Sequence, residues 1–331
     1  MNIFFHQTLL NWYASHGRHD LPWQQQSAYH VWLSEIMLQQ TQVNTVLPYY
    51  HRFIEIFPTI ETLALADEDL ILKMWAGLGY YHRAKNLHQT AKIIHTRYAN
   101  EFPQDLQELK KLPGIGASTA AAITSQAFQK PDAILDGNVK RVLARFFGIE
   151  EPINQPTIIK QLQKLADACM PLTHCQQYTQ AIMDMGATCC KSKSPNCSLC
   201  PLQKKCQAFL QQKTSCIPVK IKAKPRKKVP YHFEARINEQ KQIYMVKRPD
   251  TGIWPKLWCL PLIEPHPKPI GDKQYQHELT HQRMDIHVHW QTTTDADATE
   301  AGWFDKQSCQ SLGLPKPIQV IIDDIFTQRS D

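Results

Sequence analysis

The stretch LKKLPGIGASTAAAI, residues 109–123, places the turn LPGIG between two segments with helical periodicity. Gly114 and Gly116 permit a tight turn and leave backbone N–H groups free where the second segment begins. Free amides at a helix N-terminus attract phosphate groups, so this turn between two helices predicts sequence-independent contact with a nucleic-acid backbone. The alternative is that Pro-Gly simply ends a helix here.

Outward from the hairpin, residues 1–211 have the pattern of an all-helical domain. Apolar residues recur three and four positions apart in 28–42, 67–75, 85–98, 118–128, 155–168 and 176–187. Helix ends are predicted between these segments at Pro48, Pro58, Pro103, Pro113, Pro131, Pro152 and Pro171. Residues 212–230 are predicted to be a linker, and the alternating pattern of residues 231–331 predicts a small α+β domain.

The length and composition are those of a globular protein. A chain of 331 residues suggests two domains, and 43% hydrophobic with 20% charged residues excludes wholesale disorder. No apolar run reaches the ~18 residues that a transmembrane helix needs. The N-terminal residues lack a basic region before an apolar core, so we expect no signal peptide, no membrane contact and a cytoplasmic location, at the nucleoid if the source is bacterial.

The net charge of +7 comes mainly from one segment. The segment has no acidic residue between its six basic ones, Lys220, Lys222, Lys224, Arg226, Lys227 and Lys228. Without them the charges nearly balance. Such a run suits a polyanion such as DNA, but a solvated basic linker explains it equally well.

The cysteines are concentrated in one region. Eight of the ten lie between Cys169 and Cys216, and the absence of a secretion signal argues against a disulfide framework. Four have the spacing C-x6-C-x2-C-x5-C, namely Cys190, Cys197, Cys200 and Cys206. These thiols predict either a [4Fe–4S] cluster or a structural zinc, and the third alternative is that they bind no metal. A zinc ribbon usually has two C-x2-C pairs, so the single pair favours the cluster, while Cys189 is a competing ligand.

Two carboxylates stand out. Glu35 lies in VWLSEIMLQQTQV, where apolar neighbours predict partial desolvation, a raised pKa and the role of a general acid. The alternative is an exposed glutamate on an amphipathic helix. Asp136 precedes the helix of LDGNVKRVLAR, where an N-cap is the favoured role and a rigidly held catalytic carboxylate is compatible with it.

Five motifs together resemble the helix-hairpin-helix DNA glycosylases: SEIMLQQTQV, MWAGLGYYHRA, LPGIGASTA, LDGNVKRVLAR and the four-cysteine pattern. Their order and spacing are similar to those of the MutY-type adenine glycosylases across residues 20–210. The resemblance implies an all-α glycosylase domain (1–211) with its hairpin near 109–123 and a [4Fe–4S] loop at 190–206. It also implies a C-terminal Nudix-like lesion-recognition domain (231–331), here without a pyrophosphatase signature.

The resemblance implies a monomeric N-glycosylase that removes adenine opposite 8-oxoguanine or guanine in duplex DNA. It places Glu35 on the general acid, Asp136 on the second carboxylate and Asn138 on its polar neighbour. It makes Cys190, Cys197, Cys200 and Cys206 the cluster ligands. The expected substrate- and DNA-contacting positions are Trp23, Gln40, Thr41, Leu78, Tyr80, Gly114, Gly116, Ser118, Lys140, Asp184, Thr280 and His281.

Two positions depart from related patterns. Ser118 stands where bifunctional relatives carry a lysine nucleophile, and a hydroxyl cannot form a Schiff base, so we expect a monofunctional enzyme. In the lesion-reading loop, Leu279 replaces an aromatic residue. Thr280 keeps the hydroxyl group of that loop, and His281 keeps its imidazole. Two rival hypotheses are a thymine mismatch glycosylase and a catalytically silent DNA-binding protein.

Overall fold

The computed structural model describes residues 3–221, 225–264, 273–279, 282–292 and 301–328. Contacts divide the chain into two compact units. The first comprises Met1–Tyr50, Ile54–Ala64 and Gln89–Ala223. The second comprises His51–Phe53, Leu65–His88 and Lys224–Asp331. The domain limits predicted at residues 211 and 231 stay a prediction. By their contacts, the helical residues 65–88 belong to the second unit.

Helices account for nearly all regular structure before residue 222. They are α1 (Ile3–His16), α2 (Ala28–Leu38), α3 (Val43–Ile56), α4 (Ile60–Ala64), α5 (Glu68–Met74), α6 (His82–Arg97), α7 (Leu106–Lys110), α8 (Ala117–Phe128), α9 (Gly137–Phe147), α10 (Pro156–Cys169), α11 (Cys175–Asp184) and α12 (Gln207–Leu210). A π-helical turn, Met185–Cys189, extends α11, and two 3₁₀ turns, Cys197–Leu199 and Gln203–Lys205, follow. No described helix is both long and apolar enough to cross a membrane.

Helix α2 is buried on most sides, because Trp32, Leu33 and Met37 on different faces are all excluded from solvent. It packs against α8, whose buried stretch Ala120–Ala122 has small side chains that let the two backbones approach closely. Most of the α2 surface is therefore dry, which sets the environment of any polar group that it carries.

Pro48 does not end a helix, contrary to the prediction, but lies inside α3. Proline lacks the N–H that would reach the carbonyl of Asn44 one turn earlier. Asn44 and Pro48 are both exposed, so water can satisfy that carbonyl. The cost of one missing intrahelical bond is thereby reduced, and the helix continues to Ile56.

The C-terminal unit contains a mixed sheet, which confirms the predicted α+β class. Its strands are β1 (Lys227–Ile237), β2 (Ile243–Lys247), β3 (Trp258–Cys259), β4 (Leu262–Ile263), β5 (Lys273–Glu278), β6 (Gln282–Thr292) and β7 (Ala301–Phe304), followed by α13 (Lys306–Gln310) and α14 (Lys316–Gln328). The order is β3-β2-β1-β6-β5, with β4 on β1 and β7 on β2. Strands β1 and β6 are parallel, with Phe233 opposite Val288. Strand β1 begins inside the predicted linker.

Apolar side chains of one sheet face pack against α14. Phe233, Ile286 and Val288 from the sheet and Ile318 and Ile321 from the helix share one buried cluster. The alternating burial along β1 agrees with the alternating sequence, because successive side chains of a strand point to opposite faces.

The segment 65–88 is tied to this sheet unit by specific contacts. Lys247 Nζ lies 2.6 Å from Asp69 Oδ2, and Lys256 Nζ lies 2.8 Å from Glu68 Oε2. The hydroxyl of Tyr81 donates to the carbonyl of Leu314 at 2.7 Å. These contacts explain why α5 groups with the C-terminal residues although its sequence is helical.

Candidate active site

A cavity of about 800 Å³ opens in the first unit and holds both predicted carboxylates. Its lining comes from five segments that are distant in sequence. The residues are Arg18, Leu21, Trp23, Glu35, Leu38, Gln39, Gln40, Thr41, Gln42, Val43, Asn44, Ser118, Thr119, Ile134, Asp136, Gly137, Asn138, Gln180, Met183, Ala187 and Thr188. The volume falls in the usual range for small-molecule sites.

Glu35 projects from the buried helix α2 with one edge on the cavity. Desolvation raises the pKa of its carboxyl group to about 8, and the charge of Asp136 contributes to the rise. A hydrogen bond from the buried Gln126 of α8 acts in the opposite direction. At neutral pH the Glu35 carboxyl group therefore holds a proton, as its apolar neighbours predicted.

Asp136 is the N-cap of α9, and its Oδ1 accepts from the Val139 backbone N–H at 2.7 Å. It also lines the cavity, so the cap and the cavity position coexist. Burial raises the pKa of Asp136, and hydrogen bonds from Val139 and Asn138 partly oppose that rise. Desolvation is the larger of these influences on the pKa of Asp136.

Asn138 lies on the first turn of α9, where Arg141 holds it. Arg141 Nη2 donates to Asn138 Oδ1 at 2.8 Å and to the carbonyl of Gly186 at 2.7 Å. A Cβ on Gly186 would lie 2.6 Å from the Cβ of Asn138, so only glycine permits this approach of the π-helical turn. Lys140, also predicted here, is half-buried and lies outside the cavity lining.

Asp184 is fully buried and acts as an anchor behind the cavity wall. It accepts from the backbone N–H of Arg18 at 2.7 Å, from Arg18 Nη2 at 2.6 Å and from Gln180 Nε2 at 2.8 Å. Arg18 and Gln180 themselves face the cavity, and the sequence did not single them out. The only sequence signal for Arg18 is its place in a polar loop before Trp23.

Four other predicted residues line the same cavity, namely Trp23, Gln40, Thr41 and Ser118. Trp23 is buried, with its ring 5.2 Å from that of Tyr50 in an edge-on arrangement. Gln40 is exposed and has a positive φ of 58°, at the turn between α2 and α3. The structure thus brings these residues to the carboxylates from separate segments.

The hairpin joins α7 to α8. Gly114 has a φ of 76°, which requires glycine, whereas Gly116 has an ordinary φ of −83°. A Cβ at Gly116 would meet nothing within 4 Å, so the space beside it is open. The Thr90 hydroxyl fixes the turn by donating to the carbonyl of Pro113 at 2.8 Å. The backbone N–H groups of the first turn of α8 have no acceptor within the helix, so they can bind an external acceptor.

The predicted wedge residues lie in a strained turn of the second unit. Gly77, Gly79 and Tyr80 all have positive φ, at 98°, 69° and 50°. Arg83 supports the turn, because its Nη2 donates to the carbonyls of Leu78 and Gly79 and its guanidinium lies 5.5 Å from the Tyr80 ring centroid. Tyr80 is 38% exposed, whereas Leu78 is only 5% exposed and contributes to packing.

The lesion-reading positions Thr280 and His281 lie outside the described residues. Leu279, which precedes them, is partly buried against the sheet core, and its N–H donates to the carbonyl of Gln282 at 2.8 Å. Their predicted role stays a prediction.

The four cysteines of the spaced motif border one small cavity, and Cys189 borders it too. Backbone N–H groups of Leu202 and Gln203 point at the sulfur of Cys200. Arg145 Nη1 lies 3.4 Å from the sulfur of Cys190. Among the residues that the structure describes, no three His, Cys, Asp or Glu side chains converge closely enough to hold a single metal ion.

Comparison with known proteins agrees with this architecture. Residues 33–168 match the model of the HhH-GPD superfamily base excision DNA repair proteins, and residues 235–324 match that of the NUDIX domain. Among solved structures, a thermostable thymine-DNA glycosylase aligns with a TM-score of 0.58 at 28% identity, over 62% of this chain and 95% of that one. An endonuclease III–DNA complex aligns with a TM-score of 0.54 at 21% identity, over 62% of this chain and 94% of that one. At this identity the similarity shows the fold alone. The helical region before residue 222 therefore contains a helix-hairpin-helix glycosylase domain.

Full-length relatives define the family more closely. An adenine DNA glycosylase of Buchnera aphidicola subsp. Baizongia pistaciae is 39% identical over 98% of this chain and 97% of its own length. The protein of that name from the subspecies Schizaphis graminum is 37% identical over 98% and 99%. The one from Arabidopsis thaliana is 37% identical over 77% and 46%. The chain belongs to the adenine DNA glycosylase family.

Proposed function

We propose that this protein excises adenine paired with 8-oxoguanine or guanine in duplex DNA and leaves the strand uncut. Membership of the adenine DNA glycosylase family supports the reaction class. The observation that carries the proposal is the pair of carboxyl groups on one cavity, Glu35 with a pKa of about 8 and the N-cap Asp136.

The adenine nucleotide must leave the duplex before its glycosidic bond is accessible, which costs a few kcal/mol and less at a mispair. We propose that Tyr80, the exposed one of the two wedge residues, fills the gap in the stack. Its positive φ and its support by Arg83 hold the ring in a fixed position before DNA arrives. Leu78, being buried, contributes by packing beneath the turn.

Inside the cavity an amide group is available to the base. Gln180 is fixed by Asp184 through its Nε2, which leaves its Oε1 for the amino group of adenine. An amide oxygen is a suitable acceptor for the amino group of adenine, and this single contact leaves N7 of the base free for Glu35. Trp23 supplies an apolar surface beside it.

Protonation of the base makes it a good leaving group. Glu35 holds its proton at neutral pH because of desolvation, so it can donate to N7 of adenine as the bond to the sugar breaks. The base then leaves as a neutral molecule, and the Glu35 carboxylate accepts a proton from the attacking water.

Asp136 stabilises the positive charge that develops on the sugar. Its hydrogen bonds from Val139 and Asn138 favour the ionised form, and its partly buried position reduces solvent screening of the attraction. Arg141 fixes Asn138 and so completes the support. Two carboxyl groups in different environments thus take different roles, as in glycoside hydrolysis.

Ser118 supports a monofunctional reaction. It lies on the cavity at the start of α8, where its hydroxyl cannot form the Schiff base that strand cleavage requires. The adjacent hairpin amides and Lys140 are available to the phosphates, and Gln40 and Thr41 to the orphaned partner base. Thr280 and His281 remain the expected readers of 8-oxoguanine.

The cysteine loop fits a [4Fe–4S] cluster held by Cys190, Cys197, Cys200 and Cys206. A single zinc would require sulfurs ~3.8 Å apart, given Zn–S bonds of about 2.3 Å. The described sulfurs surround a common cavity without converging on one point, and they receive N–H groups as cluster thiolates do. Such a cluster would brace the loop that carries the exposed Lys191 and Lys193.

The test is base release by Glu35→Gln under single-turnover conditions. We expect excision from A·8-oxoG and A·G duplexes to fall by orders of magnitude, because an amide cannot deliver the proton, while mispair binding in a mobility-shift assay persists. Glu61→Gln, an exposed acid on α4, is the matched control and should excise normally. Normal turnover by the Glu35 variant would refute the assignment.

The second candidate is a thymine mismatch glycosylase, which the structural similarity to a thymine-DNA glycosylase favours. The identity of the released base separates the two. Free adenine from A·8-oxoG with no thymine from T·G supports the first proposal, and the reverse pattern supports the second.

A further inference from the structure

A second cavity, of about 400 Å³, lies within the first unit and is distinct from the catalytic cavity. Residues of α1, the loop after it, α8 and the start of α11 form its lining. Eight of the thirteen described residues that line it are glutamine or asparagine, and none of the thirteen is Asp, Glu, Lys or Arg. A lining without permanent charge cannot balance a phosphate or a cation, so it suits a neutral molecule that has several hydrogen-bonding groups.

Two residues of this lining have an uncommon backbone conformation. Gln25 and His174 are exposed at the rim of the cavity, with φ values of 57° and 59°. Positive φ costs free energy in residues other than glycine, and such residues concentrate at ligand sites. Because the two residues come from separate loops, one before α2 and one before α11, the fold holds each of them independently beside the same cavity.

Some amides of the lining are already hydrogen-bonded within the protein, and others are available. Gln24 Nε2 donates to the carbonyl of Arg18 at 2.8 Å. By contrast, the side chains of Gln25 and Gln177 at the rim make no hydrogen bond to any residue that the structure describes. Each of these two amides supplies both a donor and an acceptor to a molecule in the cavity.

The His19 ring gives the cavity a flat face. Its Nε2 lies 3.0 Å from the carbonyl oxygen of Tyr13, and the centroids of the His19 and Tyr13 rings are 4.5 Å apart, so its orientation is fixed. Flat heterocycles stack on aromatic rings of this kind. The floor is formed by Gln126 and Gln180, each only 4% exposed. The cavity thus combines a stacking face with amides around it.

We propose that this cavity binds a free purine base, and that adenine is the base it takes. The inference rests on the proposed function, because adenine is the neutral, flat product that excision supplies. Gln180 lines both cavities, so the base is held beside the catalytic cavity without occupying it. The exposed rim admits the base from solvent, and binding here does not require an empty catalytic cavity.

The experiment titrates adenine, by calorimetry, into full-length Glu35→Gln bound to an A·8-oxoG duplex, whose extruded nucleotide fills the catalytic cavity. We expect one adenine to bind per complex. Ala14→Trp, added at an exposed α1 position of the lining, should weaken this binding about tenfold or more, because the indole fills the cavity. Ser15→Trp, the next exposed residue and outside the lining, is the matched control and should leave the affinity unchanged.

Two results would overturn the proposal: no adenine bound to the complex, or equal affinity in the Ala14→Trp and Ser15→Trp complexes. Gln177→Leu is a second variant, which removes a rim amide with little change of size and should weaken adenine binding severalfold. Unchanged affinity in Gln177→Leu would contradict recognition by the rim amides. Adenosine monophosphate should bind no more tightly than adenine, and tighter binding would contradict a site for the uncharged base.

Failure of the proposed function gives a different result. Wild-type protein that releases no adenine from A·8-oxoG or A·G duplexes would refute the reaction. Titration of adenine into the DNA-free protein, with and without Ala14→Trp, requires no turnover. A loss of bound adenine in Ala14→Trp alone would therefore support the cavity as a purine site independently of the reaction.

Discussion

Desolvation raises the pKa of both carboxyl groups, and Asp136 accepts more hydrogen bonds that oppose the rise than Glu35 does. Asp136 accepts from backbone and side-chain donors at the start of α9, which offset part of its burial. Glu35 has the Gln126 amide alone among the contacts that lower its pKa, in an otherwise apolar helix. Local environment therefore assigns the proton to Glu35.

The pH dependence of excision should report this difference. The Glu35 acid must be protonated, so the single-turnover rate should fall tenfold per pH unit above about 8. Gln126→Leu removes the hydrogen bond that lowers the pKa, so its alkaline limb should move to higher pH. Glu61→Gln should leave the limb in place. An unchanged limb in Gln126→Leu would show that the amide does not act on Glu35.

Stability provides an independent measure of the same group. The folded state favours the protonated form, so this contribution is complete below the unfolded pKa of 4.5 and is lost as pH rises through about 8. Wild-type protein should therefore lose stability relative to Glu35→Gln by up to ~1.4 kcal/mol per pH unit across that interval. Thermal melts from pH 5 to 8 measure the difference, and a constant gap would contradict the raised pKa.

The sequence allowed prediction of those residues whose role depends on their neighbours along the chain. Glu35 was recognisable from its apolar flanks and Asp136 from the helix that follows it. Arg18 and Gln180 were not, since their positions depend on Asp184, which lies 166 positions from Arg18. Gly186 was missed for the same reason, because only its approach to Asn138 in space explains it.

At the scale of elements, the two glycines of the hairpin have different roles. Gly114 is needed for the backbone and Gly116 for space. We expect Gly114→Ala to lower the free energy of unfolding by about 1 kcal/mol or more, because alanine disfavours positive φ. Gly116→Ala should leave the melting temperature nearly unchanged and weaken DNA binding, because its methyl group occupies the open space beside the α8 amides.

Denaturation and duplex binding measured on both variants decide between these uses. Loss of stability in Gly116→Ala with unchanged affinity would show that the second glycine is structural.

The helices and strands themselves were predictable from the sequence, since the spacing of apolar residues and the turn residues are local features. The persistence of α3 through Pro48 was not, because it depends on the exposure of Asn44.

For the whole molecule, the division into units departs from the order of the sequence. Residues 65–88 pack with C-terminal residues of the same unit through Leu72, which lies opposite Gly313, and through two lysine–carboxylate pairs. Sequence periodicity assigns this segment to the helical domain. A pattern of apolar residues indicates that a helix has a buried face, but it does not indicate which part of the protein covers that face.

A chain ending at Ile221 should consequently be less stable than the intact protein. The truncation exposes the face of α5 that the sheet unit covers, so we expect a lower melting temperature and faster proteolysis within 65–88. Full-length Lys247→Ala/Lys256→Ala is the control, since these two ion pairs are partly open to solvent and such pairs contribute about 0–1 kcal/mol each. Equal melting temperatures for the truncated and intact chains would show that α5 needs no C-terminal partner.

A protein that inspects a chromosome meets far more correct base pairs than faulty ones. Under the proposed mechanism Glu35 carries its proton before any nucleotide arrives, so no proton uptake delays bond cleavage once a purine has entered. An adenine taken by mistake from opposite thymine would be cut just as readily. Accuracy must therefore be enforced at entry, by the residues that decide which nucleotide leaves the helix.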